Sequence, residues 1–369
     1  MNKKLSILLA GAMLTTSTAP ILAQELPNRT YVGSLAGENR YETAVKIAEE
    51  YAGLTGDTIT NNQTNADVNI VLVNGNSLVD GLAAAPLAAS LGDDANGYKS
   101  PILLTEADKL PNATKAYLKR LLKNVFVGKF KKVTIHLVGG ESVLNRSLER
   151  ELREYDFDVV RYNGDNREET SLKVAKAISK LTGEPSNNIA DSFVVGAEGE
   201  ADAMLIASVA SETKTPIIVA KKGGISDEAV SELSDQNVVV VGGKSVFSDY
   251  ELKYLNTEAS SVTRIARNNR KATNAEIINR YYRNEFVGPA ETVIVAKDGQ
   301  RDKDNLTAAN MAASKNAPII LATNSLSKEQ INALELKVKE SYALYQVGHG
   351  VAREVVKTIA ECIGLTNRD

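Results

Sequence analysis

The feature that most constrains this chain is that its sequence repeats itself three times. Three signatures recur in the same order: an Arg-x-x-Thr motif, a proline followed by three aliphatic residues, and a Val-Gly-Gly turn. In the first copy they begin at Arg40, Pro101 and Val138, and in the second at Arg167, Pro216 and Val241. In the third copy they begin at Arg270, Pro318 and Val347, where the turn has lost its second glycine. Because self-similar segments fold alike, the repeat predicts three copies of one structural unit of about 100 residues.

Each copy alternates apolar runs with helical patterns. The run at 70–73 is continuously apolar, as expected for a strand covered on both faces. The segment 43–52 instead has its apolar residues at helical spacing. This βαβαβα alternation predicts a mainly parallel sheet with right-handed crossovers. We therefore predict an α/β fold of three tandem Rossmann-like or flavodoxin-like units.

The chain has a segmented organisation. Residues 1–23 are typical of a secretory signal peptide, with Lys3 and Lys4 before an apolar centre and small residues up to Ala23. A membrane anchor is the alternative, but polar residues from position 15 interrupt the run, which is then too short to span. We predict repeat copies at 24–156, 157–258 and 259–369, the first lengthened by polar insertions near 55–67, 92–99 and 123–132. The mature protein is expected to be secreted, with no membrane span.

The Arg-x-x-Thr motifs are the first candidate binding residues. Each lies where a strand is predicted to end and a helix to begin, the edge at which open α/β sheets bind ligands. A helix N-terminus and a guanidinium both favour an anion. The candidates are Arg40 and Thr43, Arg167 and Thr170, and Arg270 and Thr273. Alternatively, each arginine pairs with a carboxylate inside the fold and each threonine caps its helix.

Other motifs have structural explanations or exclude chemistry. Asp80, Asp202 and Asn305 precede small-residue helices and are predicted N-caps. The run Gly243-Lys244-Ser245 is not a phosphate loop, because position 238 is Val238.

The composition also excludes several function classes. With only two histidines, a zinc hydrolase or a Ser-His-Asp triad is not supported. A net charge of −3 argues against nucleic-acid binding. A single cysteine, Cys362, rules out an intramolecular disulfide. We predict a protein that is not an enzyme and that uses no metal or cofactor.

At residues 37–44, 80–88, 101–105 and 138–140 the chain resembles the clostridial cell-wall-binding repeat family of the second type. The resemblance covers nearly all of the chain after the predicted signal. It implies a trimer-like arrangement of three units within one chain. It also implies noncovalent attachment to an anionic polysaccharide or teichoic-acid-like polymer of a Gram-positive wall, with other surface-layer proteins as further partners.

The resemblance further implies that the aliphatic strand motif and nearby arginines bind the polymer. The matching aliphatic residues are Ile102, Leu103, Leu104, Ile217, Ile218, Val219, Ile319, Ile320 and Leu321. Copy two departs from the family pattern at Val219, and copy three at Asn305 and His349. Two other functions stay open: an extracellular α/β enzyme acting on sugars or nucleotides, and a structural tile of the surface layer.

Overall fold

The computed structural model describes residues 31–54, 66–77, 81, 83–92, 99–183, 190–197, 199–282, 290–298, 304–338 and 341–365. The predicted signal peptide and Asp80 lie outside these residues. No helix within the described ranges is long and apolar enough to cross a membrane.

Strands and helices alternate along the described chain. The strands are β1 (Tyr31–Leu35), β2 (Ala66–Asn74), β3 (Ile102–Thr105), β4 (Phe130–Val138), β5 (Asp158–Tyr162), β6 (Ser192–Val195), β7 (Ile217–Val219), β8 (Asn237–Val241), β9 (Ser261–Ile265), β10 (Thr292–Ala296), β11 (Ile319–Leu321) and β12 (Ala343–Val347). The helices are α1 (Arg40–Ala52), α2 (Ala84–Leu91), α3 (Asn112–Phe126), α4 (Arg146–Glu154), α5 (Arg167–Thr182), α6 (Glu200–Glu212), α7 (Asp227–Glu232), α8 (Asp249–Leu255), α9 (Arg270–Tyr281), α10 (Asp304–Ser314), α11 (Lys328–Lys337) and α12 (Arg353–Cys362).

The strands form three four-stranded sheets with one shared strand order. The orders are β3-β2-β4-β5, β7-β6-β8-β9 and, read from the opposite edge, β11-β10-β12-β1. Every strand pairing within them is parallel. The predicted α/β class, with three tandem parallel units, is confirmed.

The sheets are out of phase with the sequence repeat by one strand. β5 and β9 open the second and third copies, yet each is the outer strand of the preceding sheet. β1 pairs with β12, with Tyr31 opposite Ala343 and Leu35 opposite Val347, so the N-terminal strand completes the third sheet. The chain therefore closes on itself as a ring of three units.

The three central helices hold this ring together. α2, α6 and α10 pack pairwise against one another, and their small residues allow close approach. Ala84, Ala207 and Ala312 are at most 1% exposed. One continuous apolar core includes residues from all three sheets and these helices. This packing gives the trimer-like arrangement that the family resemblance implies.

The outer helices differ between copies. α3 has 15 residues, α7 has six and α11 has ten. β4 has nine residues where β8 and β12 have five. The predicted insertion near 123–132 thus lengthens both the end of α3 and the start of β4. Cys362 is buried in α12 as a free thiol, and burial raises its pKa.

Candidate functional site

Each Arg-x-x-Thr helix begins after an asparagine. Asn39 is the N-cap of α1, and its side-chain oxygen accepts hydrogen bonds from the backbone N–H groups of Tyr41 (3.0 Å) and Glu42 (3.1 Å). Asn166 and Asn269 cap α5 and α9 with one such bond each, from the backbone N–H groups of Glu169 and Ala272. Asparagine is among the best N-caps, and it directly precedes the arginine in all three copies. Sequence reasoning missed this signal.

The threonines of the motif have a different role from the predicted cap. The Oγ1 atoms of Thr43, Thr170 and Thr273 each accept a hydrogen bond of 3.0 Å from a backbone N–H of the loop before the helix. All three side chains are buried, at most 3% exposed. The prediction that each threonine caps its helix is therefore wrong. These hydroxyls instead link the strand-to-helix loop to the first helical turn by a hydrogen bond.

The motif arginines bridge neighbouring units. Arg40 Nη1 donates to the carbonyl oxygen of Gly75 and to Asn76 Oδ1, the latter at 3.2 Å. Arg167 Nη1 donates to the carbonyl oxygen of Ala197. These acceptors follow β2 and β6, whereas the arginines follow β1 and β5, which belong to the preceding sheets. Each arginine thus links the carboxyl edges of two adjacent sheets.

The third junction is electrostatically different. Arg270 Nη1 lies 2.6 Å from Asp298 Oδ1, an ion pair whose side chains are 27% and 19% exposed. At the first two junctions, in contrast, the hydrogen bonds found among the described residues go to neutral oxygens. The internal ion pair considered from sequence therefore holds for Arg270. Among the residues that the structure describes, Arg40 and Arg167 have no carboxylate within ion-pair distance.

Asp202 lies beside the third junction. It is the third residue of α6, and the N-cap of that helix is Gly199. The prediction that Asp202 is the N-cap is therefore wrong. The helix simply begins earlier than the small-residue pattern indicated. Burial raises the pKa of Asp202 to about 6, against the lowering influence of Arg270. Asn305 lies in the first turn of α10, and its side chain is outside the described part of the structure.

The close approach of Asp202 helps to explain why position 242, the first glycine of the second Val-Gly-Gly turn, is a glycine. Gly242 has φ +126°, and a Cβ built there would lie 2.8 Å from Asp202 Oδ2 and 2.7 Å from Val246 Cγ2. Gly243 would meet nothing within 4 Å. The first glycine is therefore required by positive φ and close approach, and the second is not.

The aliphatic strand residues are core residues. The nine side chains of β3, β7 and β11 named above are at most 2% exposed. The same strands contact α1, α5 and α9, the helices that begin with the motif arginines. The structure therefore places these residues beneath the arginine helices, with their side chains away from solvent.

Both histidines have structural partners. His136 hydrogen-bonds to Tyr162 Oη (3.0 Å) through Nδ1 and to Asn69 Oδ1 (2.9 Å) through Nε2, and burial lowers its pKa to about 4. His349, which replaces the second glycine of the third turn, contacts the Gly37 carbonyl oxygen at 3.0 Å. It therefore helps to close the ring between the third and first copies. The described residues contain no group of three or more side chains suited to hold a metal ion.

These observations define a class of protein: a three-unit α/β repeat with a shared core and an arginine at each junction between units. The sequence matches the family of cell wall binding domain 2 (CWB2) at residues 34–149, 161–251 and 264–354. The chain belongs to this family, and cell-wall binding is the function that this membership supports.

Solved structures of similar proteins support the assignment. Cwp8 from Clostridium difficile superposes with a TM-score of 0.76 and 35% identity, over 91% of this chain and 52% of that chain. Cwp6 from Clostridium difficile gives a TM-score of 0.74 and 28% identity, over 94% and 50% of the two chains.

Two curated relatives from Bacillus subtilis (strain 168) are also similar. N-acetylmuramoyl-L-alanine amidase LytC is 28% identical over 323 residues, covering 86% of this chain and 54% of the relative. Amidase enhancer is 25% identical over 328 residues, covering 88% and 40%. The chain thus spans about half or less of each relative's length.

Proposed function

We propose that this protein attaches noncovalently to an anionic polymer of a Gram-positive cell wall through the three arginine junctions. The observation that carries the proposal is the recurrence of one arrangement at three places. Each junction combines the N-terminus of a helix, an arginine as its first residue, and the loop that follows a strand of the next sheet.

The chemistry of these junctions suits phosphate or carboxylate groups. Among the described residues, every hydrogen bond of the three arginines uses Nη1, so Nε and Nη2 are available for a ligand. A guanidinium can hold an anion with two parallel hydrogen bonds. The partial positive charge of the helix N-terminus acts in the same direction.

The three junctions are expected to contribute unequally. Arg40 and Arg167 donate to neutral oxygens and keep their charge for a ligand. Asp298 compensates the charge of Arg270 by an ion pair. The same charge also lowers the pKa of Asp202, against the larger effect of burial. We therefore expect the first two junctions to contribute more affinity than the third. Because the sites are linked, binding at one raises the effective concentration at the others, so weak individual sites suffice.

The aliphatic strand residues have an indirect role in this proposal. Their side chains are buried, and their strands contact the helices that carry the arginines. We propose that they position the junctions and do not touch the polymer. The buried threonines position the strand-to-helix loops in the same sense.

We also propose that the region acts by binding alone, at the cell surface and outside the membrane. The amidase relative shares only about half of its length with this chain. The residues of the junctions provide anion-binding groups and no recurring pair of carboxylates.

A pulldown on purified walls tests the proposal. The triple variant Arg40→Ala, Arg167→Ala and Arg270→Ala is compared with the wild type on intact walls and on walls stripped of anionic polymer. A hydrogen bond to a charged group contributes about 1.5–3 kcal/mol, so each lost site should weaken at least about tenfold. Wild-type protein should bind intact walls and not stripped walls, while the triple variant should bind neither.

A matched control removes three other exposed arginines, Arg146, Arg150 and Arg353, with the same change in net charge. Thermal unfolding verifies that each variant is folded. Wild-type affinity of a folded triple variant at moderate salt would refute the assignment. If the control variant lost wall binding to the same extent, the loss would be explained by net charge alone and the assignment would be refuted.

A further inference from the structure

The first copy has a strongly basic segment in a chain of net negative charge. Residues 109–140 contain eight lysine and arginine residues and no aspartate or glutamate. The segment includes α3, the turn after it and β4. This turn lies at the amino ends of the strands, because β4 begins at Phe130. It is therefore on the edge opposite the arginine junctions, which lie at the carboxyl ends.

The apex of this segment is apolar and exposed. Phe126 is 91% exposed and Val127 is 55% exposed, whereas Tyr117, Leu118 and Leu121 of the same helix are at most 1% exposed. A solvent-exposed phenylalanine gains nothing from the core of this fold. We use the name basic tip for this apolar apex together with four nearby lysines. It consists of Phe126, Val127, Lys119, Lys123, Lys129 and Lys131.

Four lysines of the basic tip have no carboxylate partner in the described part of the chain. Four of the eight basic residues are paired with carboxylates: Lys109 with Glu106, Lys115 with Glu151, Arg120 with Glu49 and Lys132 with Asp158. The described residues provide no such ion pair for the remaining four. These are Lys119, Lys123, Lys129 and Lys131.

Helix-end electrostatics explain only part of this arrangement. A lysine in the last turn of a helix complements the partial negative charge there, and Lys123 occupies that position in α3. The same effect does not account for Lys129 and Lys131 beyond the helix, or for the exposed phenylalanine between the lysines.

The second copy has no counterpart of the basic tip. The corresponding connection in the second copy runs from α7 to β8 through residues 233–236, which include Asp235 and no lysine. Three pseudo-equivalent binding sites would not require such a difference. In the third copy the matching segment 336–342 has two lysines and one glutamate beside the exposed Leu336 and Tyr342. The run of eight basic residues without an acidic one therefore distinguishes the first copy and points to a contact that the threefold arrangement does not supply.

We infer that the basic tip is a second contact for the anionic wall polymer, recognising an anionic glycan by charge and by stacking of Phe126 on a sugar ring. This inference rests on the proposed function for the source of the glycan. Two apolar side chains form too small a face to enter a lipid layer, since interfacial helices present a whole apolar face. One exposed aromatic ring within a group of cations suits a charged sugar polymer better.

Binding of dextran sulfate, with unsubstituted dextran of equal length as the neutral probe, tests the inference. The variant Lys119→Gln, Lys123→Gln, Lys129→Gln and Lys131→Gln removes the four charges that have no carboxylate partner in the described ranges. Each exposed charge contact contributes about a factor of two, so the variant should bind about tenfold more weakly at low salt. Its affinity should also depend less on salt concentration, because fewer charges are screened. Phe126→Ser should weaken binding about threefold without lowering the melting temperature.

The matched control variant is Lys222→Gln, Lys253→Gln, Lys328→Gln and Lys357→Gln, which changes net charge equally on other surfaces. It should weaken binding less than twofold. Equal effects of the two quadruple variants would overturn the inference, and so would unchanged binding by the tip variant.

Two further arms separate other polyanions from a glycan. Binding to phosphatidylglycerol vesicles that exceeds dextran sulfate binding and depends on Phe126 would assign the tip to lipid. Equal competition by single-stranded DNA would make it a general polyanion contact. Either result overturns the assignment to a glycan. Failure of wild-type protein to bind any wall would instead refute the proposed function, which the dextran sulfate measurement does not address.

Discussion

Asp202 is a carboxylate whose ionisation is predicted to destabilise the fold. Burial at the carboxyl edge of the second sheet raises its pKa from 3.8 to about 6. A raised carboxyl pKa means that the folded state holds its proton more tightly than the unfolded state. The stabilisation is therefore complete below about pH 4 and is lost as the pH rises through 6.

The magnitude follows from the shift. About two pKa units correspond to about 3 kcal/mol of lost unfolding free energy at neutral pH, taken as an upper limit because the side chain is only partly buried. Asp202→Asn keeps the shape and removes the charge. We expect the variant to be more stable than the wild type by about 1–3 kcal/mol at pH 7.5, and equally stable near pH 3.5.

Urea denaturation across pH 3.5 to 7.5 measures this difference. The comparison of variant with wild type cancels all groups that titrate in both proteins. A stability difference that is independent of pH would contradict the raised pKa. A wild type more stable than the variant at pH 7.5 would show that the ionised carboxylate gains more from Arg270 than it loses by burial.

Three other predictions concern different parts of the fold. The lowered pKa of His136, about 4, means that the unfolded state binds a proton first as pH falls. The wild type should therefore lose up to about 3 kcal/mol between pH 6.5 and 4, and His136→Gln should lack this loss in the same urea series. Gly242→Ala places a Cβ 2.7 Å from Val246 Cγ2 at positive φ and should lower stability by about 2–4 kcal/mol, whereas Gly243→Ala, which meets nothing within 4 Å, should change it by less than about 1 kcal/mol. Deletion of residues 1–36 removes β1 and should reduce hydrogen-exchange protection in β12, its partner, while β8 stays protected; equal loss in both strands would contradict the pairing.

The non-equivalence of the three copies is the main functional consequence of the structure. A threefold repeat suggests three equal sites, but one junction carries an internal ion pair and one copy carries a basic tip. Both differences arise from single side chains or short insertions on a common scaffold.

The sequence alone determined the repeat, the α/β class and the buried strands. Those properties follow from local patterns, since a continuous apolar run or a helical period is readable within about ten residues. The asparagine caps were also readable locally, although they were missed. The cap assigned to Asp202 failed because helix boundaries read from patterns are uncertain by a few residues.

Only the tertiary structure decided how the copies are joined. Nothing local in β1 indicates that it pairs with β12 at the other end of the chain, because strand adjacency depends on long-range packing. The partners of the arginines lie 35, 30 and 28 residues away in sequence, at the edge of another sheet. Whether an arginine there meets a carbonyl or a carboxylate depends on which loop the packing of the central helices brings beside it. The sequence therefore identified the arginines, and the ring of three units determined whether each of them meets a neutral oxygen or a carboxylate.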